Sequence, residues 1–326
     1  MPLLRVNDLK TYFDTEAGLV KAVDGVSFTL EPEQTLGLVG ESGCGKSLTA
    51  LSILGLIQPP GRVVSGEIWF QCKDRRILDL SSLNSNGKEI RMIRGGEIAM
   101  IFQEPMTSLD PVFTIGSQIV EILVLHQEMS KKAARRRAIE MLKEVGIPLP
   151  EQRFDEYPHQ LSGGMRQRAM IAMALACRPS LLICDEPTTA LDVTIQAQVL
   201  DLMVGLRNEF RTSIIMITHD LGVIAEMADH VIVMYVGSGV EYAGVKEIFH
   251  NPLHPYTQGL MASIPSISAP TKELEPIKGV VPDPINLPKG CRFEPRCPRA
   301  MAHCRIELPY LKEIRPGHQV ACWLYE

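Results

Sequence analysis

Eight consecutive residues, Gly40-Glu41-Ser42-Gly43-Cys44-Gly45-Lys46-Ser47, fit the pattern glycine, four residues, glycine, lysine, serine. Glycines let a loop wrap with its N–H groups pointing inward, which suits phosphate oxygens. Lys46 adds a point charge for the outer phosphates, and the Ser47 hydroxyl is a ligand for Mg²⁺. Alone, the pattern could be a glycine-rich turn carrying a surface lysine. A second candidate is Leu181-Leu182-Ile183-Cys184-Asp185-Glu186, an apolar run ending in two carboxylates. Asp185 suits the metal, and Glu186, one residue on, suits a general base that polarises a water. A third is Leu161-Ser162-Gly163-Gly164-Met165-Arg166-Gln167-Arg168, a tight turn opening a helix and a second place where N–H groups meet an anion. A fourth is the set Cys291, Cys297, Cys304 and Cys322, separated by five, six and seventeen residues. Four thiolates suit Zn²⁺ or an iron–sulfur cluster, although the spacing is not the paired C-x₂-C of zinc ribbons.

The elements needed to position these groups can be read around them. Leu36 to Val39 is a strand candidate before the glycine loop, and Leu48 to Leu56 a helical pattern after it. Val26–Leu30 and Gly66–Phe70 read as further strands. Leu181–Cys184, Ser213–Thr218 and Val231–Met234 are β-branched runs of the kind found in sheets covered on both faces. Ser130 is a candidate N-cap for a helix over Lys131–Val145, with Ile139, Leu142 and Val145 on one apolar face. The fold class is therefore α/β, with a helical insertion near 104–160. Past about 250 prolines accumulate, which marks 251–326 as an appended module.

The 326 residues are 45% hydrophobic with a formal net charge of -5. That is ample for a core and disfavours nucleic acid as a partner, since phosphate backbones demand basic surface. No apolar run reaches the roughly 18 residues needed to cross a bilayer, and residues 1–8 lack the charged-then-apolar pattern expected of a signal peptide. The expected location is the cytosol or the cytoplasmic face of a membrane, where eight cysteines remain reduced.

Together these residues resemble the ATP-binding cassette (ABC) family over roughly residues 3–250. Residues 40–47 match its phosphate loop, 161–168 its signature loop and 181–186 its acidic strand. Gln103, in Ile101-Phe102-Gln103-Glu104-Pro105, matches the Q-loop, Asp192 the D-loop and His219 the switch histidine, all in the family's order. The resemblance implies a P-loop ATPase core at 1–250, with its helical subdomain at about 104–160. It implies ATP held by Gly40, Ser42, Gly43, Cys44, Gly45, Lys46, Ser47 and Leu48, with an aromatic ring on adenine. Tyr12 occupies that place, and Phe13 is its neighbouring alternative. Mg²⁺ falls to Ser47, Gln103 and Asp185, and catalysis to Glu186, His219 and Gln103. Ser162, Gly163, Gly164 and Gln167 are expected to face the ATP of a second ATPase subunit in a head-to-tail pair.

Three stretches narrow the resemblance: Ser108-Leu109-Asp110-Pro111, Thr188 to Thr194, and Asn251-Pro252-Leu253-His254-Pro255-Tyr256-Thr257. They resemble the D-type ATP-binding subunits of dipeptide and oligopeptide importers. The implied assembly has a second ATPase, two membrane permeases and, indirectly, an extracytoplasmic peptide-binding protein, with this chain peripheral on the cytoplasmic face. Nickel or another small solute is the alternative cargo, and a soluble ABC ATPase the alternative class. The same resemblance implies a [4Fe–4S] cluster on Cys291, Cys297, Cys304 and Cys322, with zinc or unligated thiols as alternatives.

Overall fold

Fully buried, β-branched strands form the centre of the molecule. The computed structural model describes residues 1–103, 108–189, 191–263 and 276–326. Glu104 and Pro105 of the Q-loop motif, the first residues of the 104–160 insertion and Ala190 lie outside the described residues. The strands are β1 (Leu4–Thr15), β2 (Gly18–Leu30), β3 (Thr35–Val39), β4 (Gly61–Gln71), β5 (Ile77–Asp79), β6 (Ile98–Ile101), β7 (Leu181–Asp185), β8 (Ser213–Ile217), β9 (His230–Tyr235), β10 (Ser238–Gly244), β11 (Lys312–Arg315) and β12 (His318–Val320). The helices are α1 (Lys46–Ile53), α2 (Lys88–Gly96), α3 (Ile115–Gln127), α4 (Lys131–Glu144), α5 (Pro150–Phe154), α6 (Gly163–Leu175), α7 (Val193–Phe210), α8 (Leu221–Met227), α9 (Val245–His250) and α10 (Pro255–Ala262).

One sheet has the order β11-β12-β10-β9-β3-β8-β7-β6, and its strands β9, β3, β8, β7 and β6 run parallel. The smaller sheet, β2-β1-β4-β5, is antiparallel. Every residue of β3, β7 and β8 is buried. The two-residue period of a strand decides which way each points. On β8, Ile214 and Met216 join the core shared with the helices, while Ile215 and Ile217 join the core shared with the antiparallel sheet. β7 does the same, with Leu182 and Cys184 on the first side and Leu181 and Ile183 on the second.

The apolar runs expected to be strands coincide with β3, β7, β8 and β9, and Leu142 and Val145 are fully buried at α4 as expected, while the end of the first helix differs. Ser130 caps α4 by accepting from the N–H of Ala133 at 3.3 Å. The buried stripe of α4 is Ala134, Ala138, Met141 and Leu142, so it is centred on small residues, and Ile139 sits at its flank. The first helix ends at Ile53 rather than Leu56, because Gly55 takes a left-handed φ of 62° and turns the chain. The proline-rich tail does not stand apart from the sheet. Its β12 pairs with β10 (Glu241 opposite Val320, Tyr242 opposite Gln319), and β11 extends the edge. Among the described residues no helix is long and apolar enough to cross a membrane.

Candidate functional site

The phosphate-loop candidate joins the C-terminal end of β3 to α1, in the middle of the parallel strands, where α/β sheets hold ligands. Two of its glycines are sterically required. A Cβ at Gly40 would lie 2.2 Å from the Met234 carbonyl oxygen, and one at Gly45 (φ 101°) would lie 2.4 Å from that of Ala22. Gly45 is also the N-cap of α1, and no side chain caps the helix. Its first N–H groups and its dipole are thus directed at whatever anion the loop holds. Lys46 is buried, with Nζ donating to the carbonyls of Gly40 (2.8 Å) and Glu41 (3.2 Å). Its amine reaches Cys44 Sγ at 3.7 Å, and burial pushes that thiol up. Ser42, Gly43 and Ser47 complete the loop, and Leu48 packs against the core from the first turn of α1.

The carboxylates come from the end of β7, one strand away from β3 across β8. Ser47 Oγ donates to Asp185 Oδ1 at 3.0 Å. A hydroxyl and a carboxylate side by side, open to a phosphate, fit the sparse protein ligation that Mg²⁺ prefers. Burial pushes the Asp185 carboxyl up, against the Ser47 hydrogen bond, and the neighbouring Glu186 charge adds to the rise. Glu186 lies just past the strand with φ 48°, an unfavourable region for a non-glycine residue. Its N–H donates to the Ile217 carbonyl of β8 at 2.8 Å, which pins the turn.

Three elements converge on the Glu186 carboxylate. Gln103 Nε2 donates to Oε2 at 3.1 Å, Thr189 Oγ1 donates to Oε2 at 2.8 Å, and His219 Nδ1 lies 3.2 Å from Oε1. Burial opposes the charge on Glu186. The hydrogen bonds from Thr189 and His219 and the nearby cations outweigh it and hold the carboxyl below its usual range. The His219 side chain is 60% exposed. The sequence reading gave Thr189 no role, because nothing in its local pattern shows where the hydroxyl turns.

Tyr12 and Phe13 stand on β1 and do different things. The Tyr12 hydroxyl donates to Asp24 Oδ1 at 2.6 Å, and Lys21 Nζ lies 5.8 Å from its ring centre. Burial, then the Asp24 hydrogen bond, push its hydroxyl far up. Phe13 covers Gly61, where a Cβ would lie 2.3 Å from its ring. Phe13 is therefore engaged within the antiparallel sheet.

The signature turn opens α6, where Ser162 accepts from the Met165 N–H at 3.3 Å as N-cap. Ser162 and Gly163 are exposed. A Cβ at Gly164 would lie 3.1 Å from Ile195 in the first turn of α7, so the signature turn abuts the D-loop. Asp192 is the N-cap of α7, accepting from Ile195 N–H at 3.0 Å. Among the described residues no hydrogen bond joins Ser162, Gly163 or Gly164 to the chain's own phosphate loop. Gln167 turns inward instead. It is 1% exposed and donates to the Pro187 carbonyl, bracing the turn after Glu186.

Cys291, Cys297, Cys304 and Cys322 are free thiols near enough to influence one another's charge. Burial pushes the Cys291 thiol up to about 11, with the other three adding to it. They are not arranged as a ligand set. Among the described residues no three of His, Cys, Asp or Glu are grouped so as to hold a metal ion. Cys304 Sγ instead accepts from the Met301 N–H at 3.5 Å. The iron–sulfur expectation is thus not supported by this arrangement.

Residues 23–189 match the family model described as ABC transporter, and 240–304 match the oligopeptide/dipeptide transporter C-terminal region. The chain is 57% identical to the oligopeptide transport ATP-binding protein AppD of Bacillus subtilis, covering 99% of this chain and 97% of that one. It is 48% identical to the dipeptide transport ATP-binding protein DppD of Escherichia coli, over 99% and 96% of the two chains. Among solved structures, a dimeric post-hydrolysis state of the cassette MJ0796 bound to ADP and Pi superposes with a TM-score of 0.65 at 25% identity. It covers 74% of this chain and 98% of that one.

Proposed function

The chain belongs to the ABC transporter family, and from that premise we propose that it is the ATP-hydrolysing subunit of an importer of di- and oligopeptides. One observation carries the chemistry: Gln103, Thr189 and His219 meet on Glu186, one residue from an Asp185 already bonded to Ser47. The peptide cargo is supported by the C-terminal match and by the names of the full-length relatives. Those names favour neither nickel cargo nor a soluble ATPase.

The residues divide the work as follows. The loop from Gly40 to Ser47 and the first turn of α1, with Leu48, hold the triphosphate, while Tyr12 offers its ring to the adenine. Lys46 exchanges its bonds to Gly40 and Glu41 carbonyls for phosphate oxygens. Ser47 and Asp185 hold Mg²⁺, with Gln103 beside them. When bound, the ion neutralises charge on the β- and γ-phosphates. Glu186, kept ionised, accepts the proton of an attacking water as its oxygen bonds to the γ-phosphorus and the bond to ADP breaks. His219 steadies Glu186 and reaches toward the γ-phosphate.

Among the described residues Ser162 and Gly163 make no hydrogen bond to their own phosphate loop, and they are assigned to the nucleotide of a second ATPase subunit. We place the cassette at 1–250, with its helical region at about 104–160, and the extension at 251–326, peripheral on the cytoplasmic face beneath the permeases. An apolar groove of about 200 Å³ between β6, α3 and α6, lined by Met100, Phe102, Ile122, Met170 and Met173, is the permease socket of this reading. The reading needs ATP and Mg²⁺.

The test is Glu186→Gln. It should bind ATP, lose turnover by about 10²–10⁴-fold, and accumulate as an ATP-bound dimer on size exclusion. Turnover at the unaltered rate would sink the proposed chemistry. Loss of labelled-peptide uptake in cells lacking the gene tests the cargo, and loss of Ni²⁺ uptake alone would overturn it.

A further inference from the structure

We propose that Arg296 and Arg292, in the cysteine-bearing tail, are positioning residues for ATP, because they brace both ends of its site. The inference rests on the ATPase reading above. Arg296 grips the phosphate loop at its second residue, donating to Glu41 Oε2 at 2.7 Å and to Oε1 at 3.0 Å. It also donates to the carbonyls of Lys278 (3.2 Å) and Ile277 (3.1 Å) and to the Tyr235 hydroxyl (3.3 Å), and its side chain is 4% exposed. The Glu41 backbone is held from the tail as well, its N–H donating to the Tyr256 hydroxyl at 2.9 Å. Arg292, 5% exposed, donates to one oxygen of Asp24, whose other oxygen takes the Tyr12 hydroxyl at 2.6 Å. One short segment thus fixes the loop for the phosphates and the ring offered to the base.

A bare strut from tail to cassette would not need to end on these groups. Glu41 is a carboxylate inside a loop built for a polyanion, and unpaired it would repel the phosphates. A buried, bidentate guanidinium cancels that charge and fixes its direction, the strongest form of side-chain pairing. The brace also holds the Gly40–Glu41 carbonyls on which Lys46 rests before ATP arrives. Pre-set loop geometry lowers the ordering cost of binding, so the effect should fall on nucleotide affinity rather than on the chemical step.

The experiment uses the full chain with Mg-ATP, reading Kd by direct titration and KM and kcat by phosphate release. Arg296→Ala should raise Kd and KM about 10-fold, one charge-assisted bond's worth, with kcat nearly unchanged. Arg296→Ala combined with Glu41→Gln should recover most of that loss, since the unpaired carboxylate is gone. The double variant also keeps the test usable if the single variant folds poorly. Arg305→Ala, which breaks an exposed pair with Glu294 in the same segment, should leave Kd alone. An Arg296→Ala protein with a lowered melting temperature but unaltered Kd would overturn the proposal. So would a double variant no better than the single one. An unaltered chain that binds no ATP would overturn the ATPase reading itself.

Discussion

Asp185 and Glu186 are neighbours pushed in opposite directions. Burial at the end of β7 raises the first, while hydrogen bonds from Thr189 and His219 lower the second. A carboxyl raised by folding binds its proton more tightly when folded. Its contribution to stability is therefore greatest at low pH and lost as pH rises through the folded value. At neutral pH the ionised Asp185 burdens the nucleotide-free fold. Asp185→Asn is expected to raise the melting temperature by about 2 °C while lowering turnover about 100-fold or more, through loss of the metal ligand. Differential scanning calorimetry and phosphate release check the two halves, and a destabilised variant would refute the assignment of strain to this carboxylate. At this scale the sequence was readable where chemistry is contiguous. Residues 40–47 declare a phosphate loop because the backbone itself does the binding. The convergence of Gln103 and His219 on Glu186 crosses 83 and 33 residues of chain, and only the order of motifs pointed to it.

Among elements, legibility followed burial. β3, β7 and β8 are covered on both faces and read as unbroken apolar runs. β1 mixes exposed charges with core residues over 12 positions, β2 mixes half-buried charges with core residues over 13, and only the end of β2 is visible in the sequence. The tail strands were hidden by their brevity and by prolines nearby. What anchors the tail is Glu241, wholly buried on β10, which accepts from the N–H groups of Leu253 (2.7 Å) and His254 (2.9 Å) and from His318 Nε2 (2.7 Å). His254 then caps α10, its Nδ1 accepting from the Tyr256 N–H at 3.1 Å. Burial lowers the His254 imidazole from 6.5 to about 4. A depressed histidine contributes stability in full above 6.5 and loses it as pH falls toward about 4, because the unfolded chain takes up the proton first. His254→Asn retains a capping oxygen without the titration. Urea unfolding at stepped pH should show a shallower decline between 6.5 and 4 in the variant, and identical slopes would exclude His254 as the source.

Taken whole, the chain leaves one face chemically unfinished. Exposed Ser162 and Gly163 lie on a turn packed, through Gly164 and Ile195, against an α7 start where Val193 is 84% exposed. Among the described residues Ser162 and Gly163 make no hydrogen bond to the chain's own phosphate loop, while Gly164 packs toward Ile195. The chain is similar to a cassette solved as a dimer with ADP and Pi, and the proposed function assigns this turn to the nucleotide of a second subunit. Gly163 allows a clean test, since a Cβ there meets nothing within 4 Å and its φ is ordinary. Gly163→Glu should fold normally and bind ATP to its own loop within about twofold of the parent, a shift under about 0.5 kcal/mol. Placed in the Glu186→Gln background, it would set a carboxylate against the partner's γ-phosphate. The ATP-dependent dimer should then disappear on size exclusion while ADP and ATP binding by the monomer persist, because like charges across a closed interface cost several kcal/mol. A dimer that survives the added carboxylate would mean that the exposed turn faces something other than a nucleotide.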